Sequence, residues 1–158
     1  KDIENLPSWI SKWLRNKYIK SKSKKKFFKK IYIDRSDVVS NYRKIINENK
    51  LKKLLKKNGF VFIKLANLNF QDEIKLFNQA KIIIGLQGAG LTNLIWCNKK
   101  TKIIELRSKF ANKLYENLAK QNGLNYHKIV SKPLEKNIKS HSVSGTLKVD
   151  LKKIQKLL

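Results

Sequence analysis

Residues 81–98 read KIIIGLQGAGLTNLIWCN and join a short apolar run to a glycine-rich turn and a second apolar segment. An apolar run of this length that ends in glycine predicts a buried central strand of a parallel sheet over residues 81–85. Residues 86–90 are then a tight turn, and Thr92 and Asn93 are predicted to open a helix.

The same stretch has the physical properties of a phosphate site. Glycine lets the backbone approach an anion closely, and a helix start offers unpaired N–H groups with a partial positive charge. We expect Gly88 and Gly90 to adopt positive φ, as glycines in such turns often do. A tight connection that binds nothing remains an alternative, because the spacing is neither G-x-G-x-x-G nor a Walker A lysine loop.

On both sides of this stretch, short apolar runs alternate with helical patterns. This alternation predicts an α/β fold, a doubly wound parallel sheet of Rossmann-like type with helices on both faces. Ligands of such sheets bind at the carboxyl ends of the strands. The other predicted strands are 31–33, 60–63, 103–106, 126–130 and a short edge strand at 147–149. The other predicted helices are 40–58, starting at Ser40 or Asn41, then 70–80, 110–121 and 150–158, with Asn69 as the cap of the helix 70–80 and Asp150 as the cap of the last helix.

Two regions are predicted, with a boundary at residue 30. Residues 1–30 contain an amphipathic helix over 7–19, with Trp9 and Trp13 on its apolar stripe, and a basic linker. The helix is expected to brace a second domain or to pack against its own domain. Residues 31–158 form the Rossmann-like domain. Because the chain begins at Lys1 without Met, we expect an N-terminal domain of the same protein to be missing.

The net charge of +26 favours an anionic partner, which can be nucleic acid, a membrane surface or a substrate. Only 4 of the 37 basic residues are arginine, the residue favoured for contacts with bases and phosphates, so we do not expect nucleic acid. Lysine-rich usage typical of an AT-rich genome explains the charge equally well. The run 20–30 either contacts anionic lipid headgroups or is a solvated linker.

No metal or cofactor is expected from the sequence. His127 and His141 are isolated, no D-x-D motif is present, and the single Cys97 has no partner for a disulfide. The lone cysteine and the absence of N-x-Ser/Thr sequons favour a reducing cytosol. We therefore expect a cytoplasmic protein, peripheral at the cytoplasmic face of a membrane if the lysine run binds lipid.

Polar side chains follow several predicted strands and are expected to converge at one edge of the sheet. Arg35 follows the strand 31–33 and can pair with a diphosphate, or else with Asp34 or Asp37. Arg43 is placed on the first turns of the next helix and either reaches the crevice or is an ordinary surface charge. Glu105 is expected at a strand end, where it accepts hydrogen bonds from ribose hydroxyls or pairs with Arg107.

These motifs together resemble a known enzyme family. IYIDRSD at 31–37, Arg43 with Ile46-Asn47-Glu48, NGF at 58–60, residues 70–80, IIIGLQGAGLTNLIW at 82–96 and KIIELR at 102–107 are similar to the C-terminal part of the family 61 glycosyltransferases. The resemblance covers residues 31–107, and residues 150–158 resemble the closing helix of the family.

The resemblance implies one half of a GT-B type fold, the half that binds the donor, in an inverting enzyme. Such enzymes transfer a hexose or pentose from a nucleotide sugar, often UDP-linked, to a glycan or another hydroxyl acceptor, as in polysaccharide biosynthesis. The nucleotide sugar is a substrate, and no further cofactor is implied. The donor-binding residues implied here are Arg35, Arg43, Gln87, Gly88, Ala89, Gly90, Leu91, Thr92, Asn93 and Glu105.

One position departs from the family pattern. Gln87 stands where relatives usually have His before Gly-Ala-Gly, and a neutral amide donates a hydrogen bond to phosphate but supplies neither a proton nor a positive charge. The implied reaction is a single displacement in which Arg35, the turn and the helix dipole meet the charge of the departing diphosphate in place of a metal. No general base is assigned. Two alternatives are a degenerate, non-catalytic binding module and a basic protein that binds nucleic acid or anionic membranes.

Overall fold

The computed structural model describes residues 4–19, 27–36, 43–134 and 145–158. Seven strands and five α-helices lie in these ranges, together with two 3-10 helices. In chain order they are α1 (Ser8–Tyr18), β1 (Lys30–Ile33), β2 (Arg43–Ile45), α2 (Glu48–Lys57), β3 (Val61–Ile63), a 3-10 helix (Leu65–Asn67), α3 (Phe70–Gln79), β4 (Ile82–Leu86), a 3-10 helix (Ala89–Trp96), β5 (Lys102–Ser108), α4 (Leu114–Gln121), β6 (Asn125–Ser131), β7 (Gly145–Leu147) and α5 (Leu151–Leu157).

Five of the strands form one parallel sheet in the order β3-β1-β4-β5-β6. Numbered along the chain within this sheet, the order is 2-1-3-4-5, so the direction of winding reverses between β1 and β4. In open α/β sheets this reversal opens a crevice at the carboxyl ends of the two strands. The β4 strand is central, as its apolar run predicts, and the α/β class is confirmed.

Each face of the sheet is covered by its own apolar core. On one face Ile31, Ile83 and Ile103 pack with α3, α4 and the 3-10 helix Ala89–Trp96. On the other face the intervening residues Tyr32, Ile84 and Ile104 pack with α2 and α5. Because successive strand residues point to opposite faces, strands that are apolar throughout require helices on both sides. This arrangement confirms the predicted doubly wound layout.

The helix α1 is attached to the domain through one face. Ser11 is buried, Leu14 and Tyr18 pack against the core, and Arg15 Nη1 donates to the carbonyls of Ile95 and Cys97, each at 2.7 Å. Those carbonyls lie at the end of the 3-10 helix Ala89–Trp96, where acceptors are left without helical partners. The helix itself is confirmed. The predicted apolar stripe is not continuous, because its two tryptophans lie on the exposed side.

The prediction of one helix from residue 40 to residue 58 is wrong in its first half. Its start at Ser40 or Asn41 lies outside the described residues, but Arg43–Ile45 is the strand β2, paired in parallel with β7. Asn47 then donates to the Val149 carbonyl at 2.9 Å and accepts from the Val149 N–H at 3.0 Å. The apolar pattern is helical, but partners 102 residues away hold this segment extended.

Several other boundaries shift by a few residues for local reasons. The predicted helix 110–121 begins only at Leu114, because residues 108–112 form a turn in which Ser108 Oγ accepts from the Phe110 N–H at 3.2 Å. The edge strand predicted at 147–149 is Gly145–Leu147. The caps at Asn69 and Asp150 are confirmed, since both side chains accept hydrogen bonds from the first turn of their helices. His141 and most of the lysine run lie outside the described residues.

Candidate functional site

A groove of about 170 Å³ lies at the carboxyl edge of the sheet, where the winding reverses between β1 and β4. It combines a polar wall with an apolar one. The groove is lined by Ile33, Asp34, Arg35, Leu65, Leu86, Gly88, Ala89 and Gly90. Four of these residues belong to the site predicted from the sequence, and Leu65 is a contribution that the sequence did not indicate.

Two guanidinium groups converge on one backbone carbonyl beside this groove. Arg43 Nη1 donates to the Gln87 carbonyl at 2.5 Å, and Arg35 Nη1 donates to the same oxygen at 3.4 Å. No ion pair joins either arginine to a carboxylate in the part of the chain that the structure describes. One neutral carbonyl does not neutralise two fixed positive charges, and two guanidiniums in this arrangement can bind an anion.

Electrostatics within the pair support this interpretation. Burial lowers the pKa of Arg43, and the neighbouring charge of Arg35 lowers it further. Arg35 therefore disfavours the charged form of Arg43, and an anion between the two guanidiniums would offset this repulsion. Arg43 contacts the Gln87 carbonyl beside the groove from the strand β2, and not from the helix in which it was predicted.

Glycine is needed at positions 88 and 90 because other side chains approach the backbone closely there, and not because the backbone adopts a conformation that favours glycine. Gly88 is extended, with φ of 165°, and Gly90 is not among the glycines of positive φ, so that prediction is wrong. A Cβ at Gly88 would lie 3.1 Å from Arg35 Nη1 and 3.6 Å from Arg43 Nη1. A Cβ at Gly90 would lie 2.8 Å from Leu65 Cδ1. Gly88 therefore makes room for the arginines, whereas Gly90 makes room for the apolar wall.

Asp34 also lines the groove, but its carboxylate is already engaged. Lys52 Nζ donates to Oδ2 at 2.9 Å, and the Ser36 N–H donates to Oδ1 at 3.0 Å. Burial opposes ionisation, yet these hydrogen bonds outweigh it and the pKa of Asp34 is lowered. The predicted alternative of an Arg35–Asp34 ion pair is not found among the described contacts, and Asp37 lies outside them.

The turn continues into a 3-10 helix, Ala89–Trp96, in place of the α-helix predicted to open at Thr92 and Asn93. The first N–H groups of a helix have no partner within it, and here they belong to residues at the groove. Thr92 is exposed and hydrogen-bonds Tyr115. Leu91 and Asn93 have structural roles: Leu91 is fully buried, and Asn93 Oδ1 accepts from the Trp96 indole at 3.0 Å.

The Gln87 side chain points into the protein. It is 3% exposed, and its Nε2 donates to Asn112 Oδ1 at 3.4 Å, while Oε1 finds no partner among the described residues. What Gln87 presents to Arg35 and Arg43 is its backbone carbonyl. In this structure the side chain is a link between the turn and the segment before α4, a contact that spacing alone does not indicate.

Glu105 does not lie at a strand end, so its predicted position is wrong. It occupies the middle of β5 and is fully buried, where the Tyr126 hydroxyl donates to its carboxylate and Arg107 Nη1 lies 3.7 Å away. The alternative of an ion pair with Arg107 is therefore what the structure shows. The apolar run before Glu105 resembles a complete strand, but β5 continues to Ser108 by pairing with β6.

Glu105 and Glu116 are expected to affect the pH dependence of stability in opposite directions. Burial raises the pKa of Glu105, whereas hydrogen bonds from Lys128 and Lys120 lower that of Glu116. The stability that Glu105 contributes through its raised pKa is fully present below the ordinary glutamate pKa and is lost as pH rises above that value. The free energy of unfolding of Glu105→Gln, measured with urea, should therefore rise relative to that of the wild type between about pH 4 and pH 7.

Glu116→Gln is the matched control: it should be less stable than the wild type above about pH 4.5, and this difference should narrow between about pH 4.5 and pH 3, because the wild type then loses the stability that ionised Glu116 contributes. If the wild type instead becomes more stable relative to Glu105→Gln as pH rises, the ion pair of Glu105 with Arg107 outweighs the effect of burial. The comparison uses the same buffers and the same denaturant for all three proteins.

Tyr115 lies near both arginines, and burial raises its pKa although Thr92, Arg43 and Arg35 act in the opposite direction. Its position on α4 follows only from the tertiary structure.

Within the described ranges no group of three or more His, Cys, Asp or Glu side chains is placed to hold a metal ion. A second cavity, of about 240 Å³, lies between α4 and residues 5–6, away from the sheet edge.

Comparison with known proteins connects this geometry to a family. The family model of Glycosyltransferase 61 matches residues 2–104, well over half of the chain. The chain belongs to the glycosyltransferase 61 family. The family match contains Arg35, Arg43 and the whole turn, and it ends one residue before Glu105. The family match confirms the resemblance inferred from the motifs. It begins at residue 2, whereas the first of those motifs begins at residue 31.

Individual relatives of this glycosyltransferase 61 member match over shorter segments. EGF domain-specific O-linked N-acetylglucosamine transferase is 33% identical over 92 residues in Bos taurus and 30% identical over 92 residues in Gallus gallus, each match covering 55% of this chain. Beta-1,2-xylosyltransferase of Arabidopsis thaliana is 38% identical over 64 residues, or 40% of this chain. These segments cover 18%, 17% and 12% of the three relatives, so the chain spans less than a fifth of their length.

Proposed function

We propose that this chain is the donor-binding part of an inverting glycosyltransferase and holds the diphosphate of a nucleotide sugar in the groove between β1 and β4. The observation that carries the proposal is the convergence of Arg35 and Arg43 on the Gln87 carbonyl without a described carboxylate partner. The site lies at the winding reversal of the sheet, which is where doubly wound folds bind nucleotides. Membership of the glycosyltransferase 61 family supports the same assignment.

In the proposed reaction an acceptor hydroxyl attacks the anomeric carbon of the donor. The new C–O bond forms as the bond to the diphosphate breaks, the configuration inverts, and the hydroxyl proton passes to a general base. Negative charge grows on the departing diphosphate, and Arg35, Arg43 and the N–H groups of residues 88–90 are positioned to stabilise it. The two cations then act as fixed groups that need no rearrangement during the step.

The lining of the groove and the names of the relatives together support the proposed donor class. Ile33, Leu65 and Leu86 provide apolar lining on which a sugar or base ring can lie. One group of relatives is named for transfer of N-acetylglucosamine and another for transfer of xylose, so both a hexose and a pentose are compatible with the family. We propose a UDP-linked hexose or pentose as donor and a glycan or other hydroxyl as acceptor.

We further propose that the groove is one wall of a GT-B type cleft. A groove of about 170 Å³ is open to solvent and is smaller than typical ligand pockets of about 300–1,000 Å³. A second lobe facing the carboxyl edge of the sheet would seat the acceptor and exclude water from the reaction. We therefore expect sugar transfer only from a protein that contains both walls of the cleft. The present chain, with one wall, is expected to bind the nucleotide.

The proposal is tested by titrating UDP, GDP and CMP into the purified protein by calorimetry. We expect UDP to bind, and at 100 times its dissociation constant to stabilise the fold by about 2.7 kcal/mol in thermal unfolding. Lys153→Ala, which removes one exposed charge on α5, is the control and should bind UDP as the wild type does. Tight, sequence-selective binding of nucleic acid without any nucleotide affinity would refute the proposal.

A non-catalytic binding module is the second candidate, favoured by Gln87. Its side chain is buried against Asn112 and supplies no proton at the groove. Both candidates bind UDP, so they are separated by turnover of a nucleotide sugar. Slow release of free sugar from UDP-N-acetylglucosamine or UDP-xylose by a protein that contains both walls of the cleft, lost in its Arg43→Ala variant, identifies an enzyme. Binding without release by that two-walled protein identifies the module.

A further inference from the structure

The outer face of α1 is exposed and unusual in composition. Trp9, Lys12, Trp13, Asn16 and Lys17 are all exposed, and their spacing of three and four residues places them on one side of the helix. Trp9 is 65% exposed and Trp13 is 51% exposed. Two neighbouring indoles facing water are costly to a soluble domain and mark a surface that contacts something else.

This face is held in place and cannot turn inward. Near the C-terminal end of α1, Arg15 Nη1 donates to the backbone carbonyls of Ile95 and Cys97. Before the helix, Asn117 Nδ2 donates to the Glu4 carbonyl at 3.2 Å and Gln121 Nε2 donates to the Leu6 carbonyl at 2.7 Å. With the inner face and both ends attached, the tryptophans are presented outward as part of the fold.

Lysine and aromatic side chains alternate on this surface and extend it beyond the helix. Lys17 Nζ lies 4.7 Å from the centre of the Trp13 ring and 5.4 Å from that of Tyr18. The Tyr18 ring in turn contacts Phe70, which is 50% exposed, at 5.3 Å between ring centres. The helix α1 contains no acidic residue. We call the exposed residues Trp9, Lys12, Trp13, Lys17 and Phe70 the aromatic–lysine face.

We propose that the aromatic–lysine face docks this protein on the surface of an anionic lipid bilayer. Indoles are favoured at the headgroup level of membranes, where one part of the ring is in apolar surroundings and the N–H stays hydrated. Lysines beside them extend to the lipid phosphates, each adding attraction to an anionic surface. The net charge of +26 is complementary to that surface.

Charge also argues against other occupants of the face. A second copy of the chain would bring +26 against +26. A protein partner that covered both indoles would have to bury Lys12 and Lys17 as well, and lysine is depleted from the buried centres of protein interfaces. A bilayer surface accepts both side-chain types in one layer. None of the helices described by the structure is long and apolar enough to cross a membrane.

The proposal is tested by flotation of the purified protein with vesicles of phosphatidylcholine containing about one third phosphatidylglycerol, and with pure phosphatidylcholine vesicles as reference. We expect binding to the anionic vesicles, with a blue shift of tryptophan emission. Trp9→Ala/Trp13→Ala should weaken binding at least about tenfold and abolish the shift, because the buried Trp96 is then the only indole left. Circular dichroism confirms that the variant is folded.

Two matched controls make the test specific. Ile46→Ala removes another exposed apolar side chain, 63% exposed and outside α1, and should bind as the wild type does. Lys12→Gln/Lys17→Gln should weaken binding more than Lys153→Gln/Lys156→Gln, which removes the same charge from the exposed side of α5. Equal loss from the two lysine pairs, or wild-type binding by the tryptophan variant, overturns the proposal. So does a tryptophan-dependent dimer in sedimentation without vesicle binding.

Discussion

Replacing Arg35 and Arg43 by alanine is expected to weaken UDP binding by roughly ten- to a hundredfold for each single variant, since a hydrogen bond to a charged group contributes about 1.5–3 kcal/mol. The double variant should lose less than the sum of the two. Both guanidiniums donate to the Gln87 carbonyl, and the charge of Arg35 disfavours that of Arg43. A diphosphate bound to both relieves this repulsion, and either single variant already removes that gain, so the second substitution costs less.

The measurement is a double-mutant cycle on UDP affinity by calorimetry, repeated at low and at high salt. Uridine, which lacks the phosphates, serves as the control ligand and should respond little to either substitution. Lys153→Ala controls for the loss of one positive charge elsewhere on the protein. Strict additivity of the two arginine effects would show that they do not share one diphosphate, and unchanged UDP affinity in Arg43→Ala would place the anion elsewhere.

Gly88→Val is expected to weaken UDP binding at least about tenfold while the melting temperature changes little. The backbone at Gly88 is extended, which a β-branched residue adopts readily, so the fold has no reason to resist the change. The added methyl groups instead meet Arg35 and Arg43 at the tips of their guanidiniums. The arginines move away from Gln87, and the anion loses both partners at once.

Gly90→Val is the matched comparison, two residues further on. Its Cβ would lie 2.8 Å from Leu65 Cδ1 and 3.4 Å from Ile33 Cγ2, which overpacks the apolar wall. We expect a loss of about 1–3 kcal/mol in unfolding free energy. Melting and UDP titration of both variants therefore separate the two roles. A Gly88→Val protein with full UDP affinity would show that the glycine turn is only a tight connection.

The sequence was sufficient for the parts of the structure that depend on neighbouring residues. The apolar run and glycine of residues 81–85 predicted the central strand, and the side chains of Asn69 and Asp150 predicted helix starts. Capping and burial of a short apolar run are local properties, so spacing along the chain is enough to predict them. The same reasoning placed Arg35 and the turn at one edge of the sheet, because parallel strands end together.

Tertiary structure decided the features that depend on which segments meet. Residues 43–45 have a helical pattern but are extended, because pairing with residues 145–147 supplies hydrogen bonds that a helix start would otherwise make. Glu105 follows an apolar run that looks complete, yet β6 extends β5 past it and encloses the carboxylate. In both cases the deciding partner is remote in the chain, and no local pattern records it.

The site itself shows the same division. From residue types and spacing, an arginine after β1 and a glycine turn after β4 could be predicted to face one anion. Only the fold shows that Arg43 comes from a separate strand, that the Gln87 side chain turns inward and that its carbonyl holds two guanidiniums. It also shows that α1 buries Leu14 and Tyr18 while Trp9 and Trp13 face solvent. A helical stripe fixes which residues share a face, but packing against the sheet decides which face is covered.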